Sequence, residues 1–345
     1  VIRALVAAAA LCSFAAPAAA QSETVLRFAT NAPAGTAWAR EFAAFARDVE
    51  AGTKGQVRIK WYLSGIAGDE KQMGDRIRSG QLDGAASGGP LCEQLAPSMR
   101  VMRVVGLITS AREAGFLANR LWPTFEAEFK KSGVMPLGTA TIGPHILFSR
   151  EPVRSMAEFR KGRYWVWDRD DVLRQELASF GVQLVPLPVS EAEQAYVDGR
   201  IDGFLAPASV ALAFQWSTHA RYVTNLKLDY ITGCVFVADR AVDPLPVAAR
   251  EVLRTAANKL GVRFAAVGAD TDAALLGGLF QRQGLTVVPV DPRFSTEFFE
   301  LARATRDRLG DKLVPSGLLG RVLALLADLR GQSTPLDVST EQRRR

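Results

Sequence analysis

Apolar and polar positions in this chain switch between a period of two and a helical period, and the switching occurs twice in the same order. Residues 25–30, Val-Leu-Arg-Phe-Ala-Thr, read as a strand. Asn31 to Gly35 make a turn, and Phe42, Phe45 and Val49 then recur at helical spacing within 36–51, which Gly52 to Gly55 terminate. Residues 57–62 alternate as a second strand. A helix over 69–79 sets Met73 and Ile77 against its charges, and Asp83-Gly84 opens a short strand running into Gly88-Gly89-Pro90. The order returns as a strand over 163–167, a helix over 170–180, a strand over 183–188 with proline at its edge, and a helix ending at Gly199. In that last helix Ser190 and Glu193 have the spacing of a reciprocal N-terminal cap. Phe204-Leu205-Ala206-Pro207 follows. The phrase Gly80-Gln81-Leu82-Asp83-Gly84 closes the first unit and Gly199-Arg200-Ile201-Asp202-Gly203 the second. Two copies of one α/β unit predict two similar domains, each with a parallel sheet, facing one another across a cleft.

Beyond the repeats, residues 230–237 read as extended. Pro244 and Pro246 then introduce a helical pattern over 247–283, which would span roughly 50 Å. That exceeds one small domain and predicts a brace across both, with Gly268 or Gly277-Gly278 as places to bend. A strand over 285–290 and helices over 295–309 and 318–329 complete the pattern. The resulting organisation is a signal peptide over 1–20, a first domain of 22–148 plus 234–280, a second of 149–233 plus 281–330, and a disordered tail over 331–345.

Composition narrows the class. Arg3, the uncharged run 4–14 and Pro17-Ala18-Ala19-Ala20 form a secretory signal peptide cut after Ala20; a retained N-terminal anchor is the rival reading. The remaining length exceeds one ordinary core and suits two domains. The formal charge is +6, but Arg343, Arg344 and Arg345 in the tail supply three of those charges. No basic helix is interleaved with aromatics, so no nucleic-acid partner is expected. In an exported chain Cys92 and Cys234 are either a disulfide or two buried thiols, and both readings stay open.

The common catalytic signatures are missing. With two histidines in the chain, no His, Cys and carboxylate cluster has metal-ligand spacing, and no nucleophile elbow or phosphate loop occurs. No metal and no cofactor are expected. Asp168, Asp170 and Asp171 could serve an exported enzyme, but acids at a helix start satisfy its free amides and its dipole. Ligands of open parallel sheets meet the loops beyond the carboxyl ends of the strands. That places Thr30-Asn31-Ala32, Ser64-Gly65, Ser87-Gly88-Gly89, Trp167-Asp168 and Ala206-Pro207 at the cleft. Alternation sets Trp165 and Trp167 on one face of their strand and Tyr164 and Val166 on the other, with Trp167 nearest the cleft.

Leu26-Arg27-Phe28-Ala29-Thr30 with Pro33 and Gly35, Tyr62-Leu63-Ser64-Gly65 with Gly68, Ser79 to Gly84, Phe180-Gly181 before Val185-Pro186-Leu187-Pro188, and Gly199 to Gly203 occur in one order. In that order the chain resembles the dicarboxylate-binding periplasmic receptors of tripartite ATP-independent periplasmic (TRAP) transporters, over nearly all of 25–309. The resemblance implies a type II periplasmic-binding-protein-like fold: two α/β domains, a hinge and a long domain-spanning helix. It also implies a monomeric, periplasmic, non-enzymatic receptor that closes on a small organic solute and delivers it to membrane-embedded TRAP subunits. The family presents an arginine to a substrate carboxylate; here Val166 stands in its place, His145 in that of a neighbouring arginine, and Ala206 in that of an asparagine. A carboxylate left without a cation or several donors costs several kcal/mol, roughly. The expected solute is therefore apolar or aromatic rather than a C4-dicarboxylate, although Asp168 beside aromatic faces would also suit an amine. The expected ligand-binding residues are Asn31, Trp38, Ser87, Gly88, His145, Val166, Trp167, Asp168, Val189, Phe204 and Ala206. Two rival functions are a receptor presenting its ligand to a signalling protein and an exported enzyme centred on Asp168.

Overall fold

The structure is a computed structural model that describes residues 23–332. The expected signal peptide and the tail beyond Gln332 lie outside the described residues. The first unit comprises β1 (Thr24–Ala29), α1 (Ala37–Gly52), β2 (Val57–Tyr62), α2 (Glu70–Arg78) and β3 (Gly84–Ser87). A short α3 (Pro90–Leu95), a 3-10 turn (Pro97–Arg103) and α4 (Ala111–Lys131) lead to β4 (Val134–Pro144) and β5 (Ile146–Ser149). After α5 (Met156–Lys161) the second unit follows as β6 (Arg163–Trp167), α6 (Asp171–Ser179), β7 (Gln183–Leu187), α7 (Val189–Val197) and β8 (Gly203–Ala206). Then come α8 (Ala208–Ala213), β9 (Tyr222–Thr224), β10 (Tyr230–Ala238), α9 (Asp239–Val242) and α10 (Val247–Ala274). The described chain ends with α11 (Phe280–Arg282), β11 (Thr286–Val288), α12 (Pro292–Leu313) and α13 (Leu318–Gly331).

Two sheets result, ordered β2-β1-β3-β10-β4 and β11-β9-β5-β8-β6-β7. The repeated units supply corresponding parallel cores, β2-β1-β3 and β7-β6-β8. Wholly parallel sheets were expected, and the sheets are mixed. β10 runs antiparallel to β3 and β4, and β5 antiparallel to β8 and β9. The reason is connectivity: β4 passes into β5 through His145 alone, and a strand that carries the chain between sheets enters against the direction of the repeats.

The duplicated phrase performs the same task in both units. Asp83 accepts the Arg27 backbone amide at 2.9 Å and its Nε at 2.8 Å, while Arg27 Nη2 donates to Gly80 O at 2.7 Å. Asp202 accepts the Arg163 amide and Nε, each at 2.9 Å, and Arg163 Nη2 donates to Gly199 O at 2.8 Å. The closing glycines sit where the backbones nearly touch. A Cβ on Gly84 would meet Phe236 O at 2.6 Å, and one on Gly203 would meet Phe148 O at 2.4 Å.

Each sheet is covered on both faces. Phe28, Phe42, Phe45 and Val49 pack beneath α1 and α10, and Leu117, Leu121 and Phe125 of α4 cover the opposite face of the first sheet. Val166 and Tyr164 face α6 and α12, whereas Trp165, Phe204 and Phe148 face α7 and the end of the spanning helix. Helix α13 returns to the α4 layer through Val322 and Leu326. The long helix continues from α10 through a π-helical turn, Leu275–Leu279, where Gly278 has φ 135°. That is the bend expected at Gly277-Gly278. Gly268 does not bend the helix but lets it lie on β4, since a Cβ there would come within 2.4 Å of Ile142 O. The cap expected at Ser190 is not formed: α7 begins at Val189 after Pro188, so Ser190 is already helical and its hydroxyl is past the capping position. Cys92 and Cys234 form a disulfide, joining α3 to β10. No helix among the described residues is long and apolar enough to cross a membrane.

Candidate functional site

A cavity of about 150 Å³ lies between the two sheets, beyond the carboxyl ends of β1, β3, β6 and β8. That volume exceeds the space needed by one or two waters and suits a small solute. From the first half come Asn31, Trp38, Ser87 and Gly88; from the second come Val166, Trp167, Val189 and Ala206, with His145 between them. The halves meet directly, since a Cβ on Gly88 would stand 3.8 Å from the Trp167 ring.

Both walls are apolar and aromatic. Trp38 stacks on Phe264 of α10 with ring centroids 5.8 Å apart, and Phe42 packs against both Phe264 and Trp61. Opposite, Trp165 meets Trp216 edge to face at 5.0 Å and donates its indole N–H to Leu187 O at 3.0 Å. The indole N–H of Trp38, in contrast, is buried without a hydrogen-bond partner.

Charge is confined to the floor. Glu70 of α2 accepts Ser87 Oγ at 2.7 Å, the Gly88 amide at 2.9 Å and the Leu91 amide at 2.7 Å. Burial nevertheless pushes the Glu70 carboxyl above the ordinary range. Arg103, 2% exposed, is joined to Asp170 at the start of α6 and stands 3.5 Å from Asp229. Burial opposes the Arg103 charge, yet Asp170 and Asp229 hold its pKa above the usual guanidinium range. Asp229 in turn binds His145 Nδ1 at 2.6 Å. Burial acts to raise the Asp229 pKa, but the His145 charge and hydrogen bond, with Arg103, bring it below the usual carboxylate range.

Two of the expected site residues lie elsewhere. Phe204 is core, stacked on Phe148 at 4.9 Å and edge-on to Tyr196 and Trp216; its neighbours Leu205 and Ala206 reach the cavity instead. Asp168 is not among the lining residues; its half-buried carboxylate is 4.0 Å from Arg169. The acids of this segment diverge. Asp170 turns inward to Arg103 while capping α6 through the Leu173 amide, and Asp171 turns outward to Arg174. The three carboxylates of this segment thus have different partners and do not converge on one point. Arg163, the one nearby candidate for a displaced clamp, is taken by Asp202 at the far end of β6.

Sequence reasoning missed Arg103, Glu70 and Asp229. One signal was visible: Arg103 is a single charge inside Val101-Met102-Arg103-Val104-Val105, an unusual setting for an exposed arginine. Its partners, Asp170 and Asp229, lie far away in sequence and could not be paired with it by spacing.

Two mixed α/β sheets joined by crossing strands and a spanning helix, with a cavity between them, define the type II periplasmic-binding fold. The chain belongs to family 7 of the bacterial extracellular solute-binding proteins (DctP), whose family model matches residues 28–311. A solute-binding protein of Verminephrobacter eiseniae (strain EF01-2) is 22% identical over 275 residues, covering 75% of this chain and 81% of the relative. The sugar acid binding protein of Advenella mimigardefordensis, solved in complex with galactonate, matches with a TM-score of 0.83 at 16% identity, over 89% of this chain and 99% of that one. A TRAP periplasmic solute-binding protein of Desulfovibrio salexigens, with bound orotic acid, matches with a TM-score of 0.80 at 18% identity, over 89% and 100%. At such identities the likeness is one of fold.

Proposed function

We propose that the chain is the periplasmic receptor of a TRAP-type transporter and captures a small organic solute, apolar or aromatic in body, in the cavity between its two domains. The domains divide as 22–148 plus 234–280 and 149–233 plus 281–330, close on the solute as a monomer, and open again at membrane-embedded subunits without chemical conversion. Structural relatives crystallised with galactonate and orotic acid support a small organic acid as the general class. The observation that carries the finer reading is the cavity wall. Trp38, Trp167, Val166 and Ala206 line it, and Arg103, the arginine among its lining residues, is already engaged by Asp170 and Asp229. A solute carboxylate would have to compete with the buried Asp170 for that guanidinium, which disfavours C4-dicarboxylates by the desolvation of a poorly paired charge.

Thermal denaturation with added solutes tests this. A solute that binds only the folded protein raises its melting temperature, by the equivalent of about 2.7 kcal/mol at one hundred times its Kd. Aromatic or branched monoacids are expected to do so and succinate or malate to fail. A response to small dicarboxylates alone would refute the reading.

A further inference from the structure

His145 is clamped at one ring nitrogen and free at the other. The residue joins β4 to β5 where the chain crosses between sheets, is 5% exposed and lines the cavity. Asp229 Oδ1 holds Nδ1 at 2.6 Å, the His145 amide donates to Asp229 O at 3.2 Å, and the Leu228 amide donates to His145 O at 3.0 Å. Nε2 has no hydrogen-bond partner among the described residues. A ring fixed in this way has its orientation set before any solute arrives.

The surrounding charges come from several elements. Asp229 faces Arg103 of the 3-10 turn at 3.5 Å, and Arg103 pairs with Asp170 at the start of α6. Around Arg103 stand Glu93 of α3 and Glu70 of α2; Glu176 of α6 accepts the Val105 amide at 3.0 Å and interacts with Asp229. Lys227 lies in the crossing segment two residues before Asp229. Burial raises Glu70, and pushes Glu93 and Glu176 to about 8, which favours their neutral acids. Two of the carboxylates, Asp170 and Asp229, lie against the Arg103 guanidinium, and Asp229 also lies against the His145 ring. A carboxylate in contact with an imidazole favours the ring's charged form, and the other oxygen of Asp229 is buried without a hydrogen-bond partner.

We propose that His145 meets the solute as an imidazolium, its Nε2–H donating to the single carboxylate of an otherwise apolar or aromatic molecule, so that capture is coupled to a proton. The proposal rests on the apolar-solute reading above. It gives the cavity a charged donor where Val166 supplies none, beside an Arg103 that is paired with Asp170. A carboxylate favours the charged ring, so by linkage the ring's proton favours the carboxylate. The sign follows. Affinity for the carboxylate should therefore fall from acid to alkaline buffer, by at most about tenfold per pH unit.

Titration by tryptophan fluorescence with benzoate, benzamide and succinate, from mildly acidic to mildly alkaline buffer, tests the assignment. Benzoate is expected to bind about tenfold or more tighter than benzamide at the acid end. It should lose that advantage as pH rises, whereas benzamide binding stays flat. His145→Gln should collapse the ratio between the two and abolish the pH dependence, and Asp229→Asn, which keeps the ring's hydrogen-bonding neighbour, should weaken both effects should His145→Gln fold poorly. If benzoate and benzamide bind alike with flat profiles, or if the profile survives in both variants, the proton coupling is overturned and the apolar reading is left standing. If succinate alone binds, the apolar reading is overturned; a succinate profile that still depends on His145 would keep the coupling. Failure of all three at millimolar concentration counts against both.

Discussion

The two copies of the Gly-x-apolar-Asp-Gly phrase make the same clamp in different surroundings. Asp83 is 5% exposed and is shared by Arg27 and by Arg240, whose Nη2 also donates to Leu82 O at 2.6 Å and Ile77 O at 3.0 Å. Asp202 holds Arg163 alone, with about a third of its side chain in solvent. The first unit is also fixed by the Cys92–Cys234 disulfide, which has no counterpart among the described residues of the second. A repeated motif therefore shows a repeated shape, and burial decides what each copy contributes to stability. The strand exits differ in the same sense. After Gly84 the chain reaches Ser87 and Gly88, tied to Glu70, whereas after Gly203 it reaches Ala206 and Pro207, with no polar side chain to tie.

The disulfide provides the widest separation of the two halves. It closes a sequence interval of 142 residues, and loops of that order are stabilised by roughly 4–5 kcal/mol in the chain-entropy view, with measured losses of about 2–5. Replacing both cysteines by alanine should lower the unfolding free energy, read by urea denaturation, by that amount. An effect under about 1 kcal/mol would mean that packing of Met99, Met102 and Leu117 around the bridge already holds β10 in place.

Asp83→Ala and Asp202→Ala compare the clamps themselves. Removal of the buried Asp83 carboxylate takes a partner from two arginines and from a backbone amide, a loss of about 2–3 kcal/mol. Asp202→Ala should cost less, because solvent screens the pair it breaks. Both carboxyls titrate below the ordinary range. For Asp83 burial acts upward but Arg27 outweighs it; for Asp202 the Arg163 hydrogen bond comes first. A depressed folded-state pKa contributes stability that is present above the unfolded value, about 3.9, and is lost as pH falls through the folded one. Acid unfolding curves should thus flatten in both Asp83→Ala and Asp202→Ala. Equal losses from the two substitutions would break the argument from burial.

The repeats were legible because periodicity and turn glycines are local signals, and they placed β1 to β3 and β6 to β8 within a residue or two. The cavity was legible to the same extent: strand ends locate Asn31, Ser87, Gly88, Trp167 and Ala206 without any contact being known. Phe204 and Asp168 went astray because each is next to a lining residue on a strand end, where one step turns a side chain from cavity to core or to solvent. The floor was not legible. Arg103, Asp170 and Asp229 are separated by long stretches of sequence, and nothing local distinguishes a carboxylate that will be buried against a guanidinium from one that caps a helix in water. Asp170 does both.

The smallest contrast concerns helix starts. Helix α2 and helix α7 occupy the same place in the two units, yet only α2 has a side-chain cap: Asp69 accepts the Gln72 amide at 2.8 Å, and Gln72 Oε1 accepts the Asp69 amide at 2.9 Å. Helix α7 follows Pro188, which has no amide hydrogen to be satisfied and already holds an extended conformation at φ −56°, ψ 153°. Asp69→Ala should therefore cost about 1 kcal/mol, and Ser190→Ala should fall within a few tenths of zero, since its hydroxyl caps nothing. Chemical denaturation of the two variants side by side reads the difference. A loss at Ser190 matching that at Asp69 would mean that α7 starts two residues later in solution, with Ser190 at the cap and Val189, a cavity residue, on the strand side of the turn.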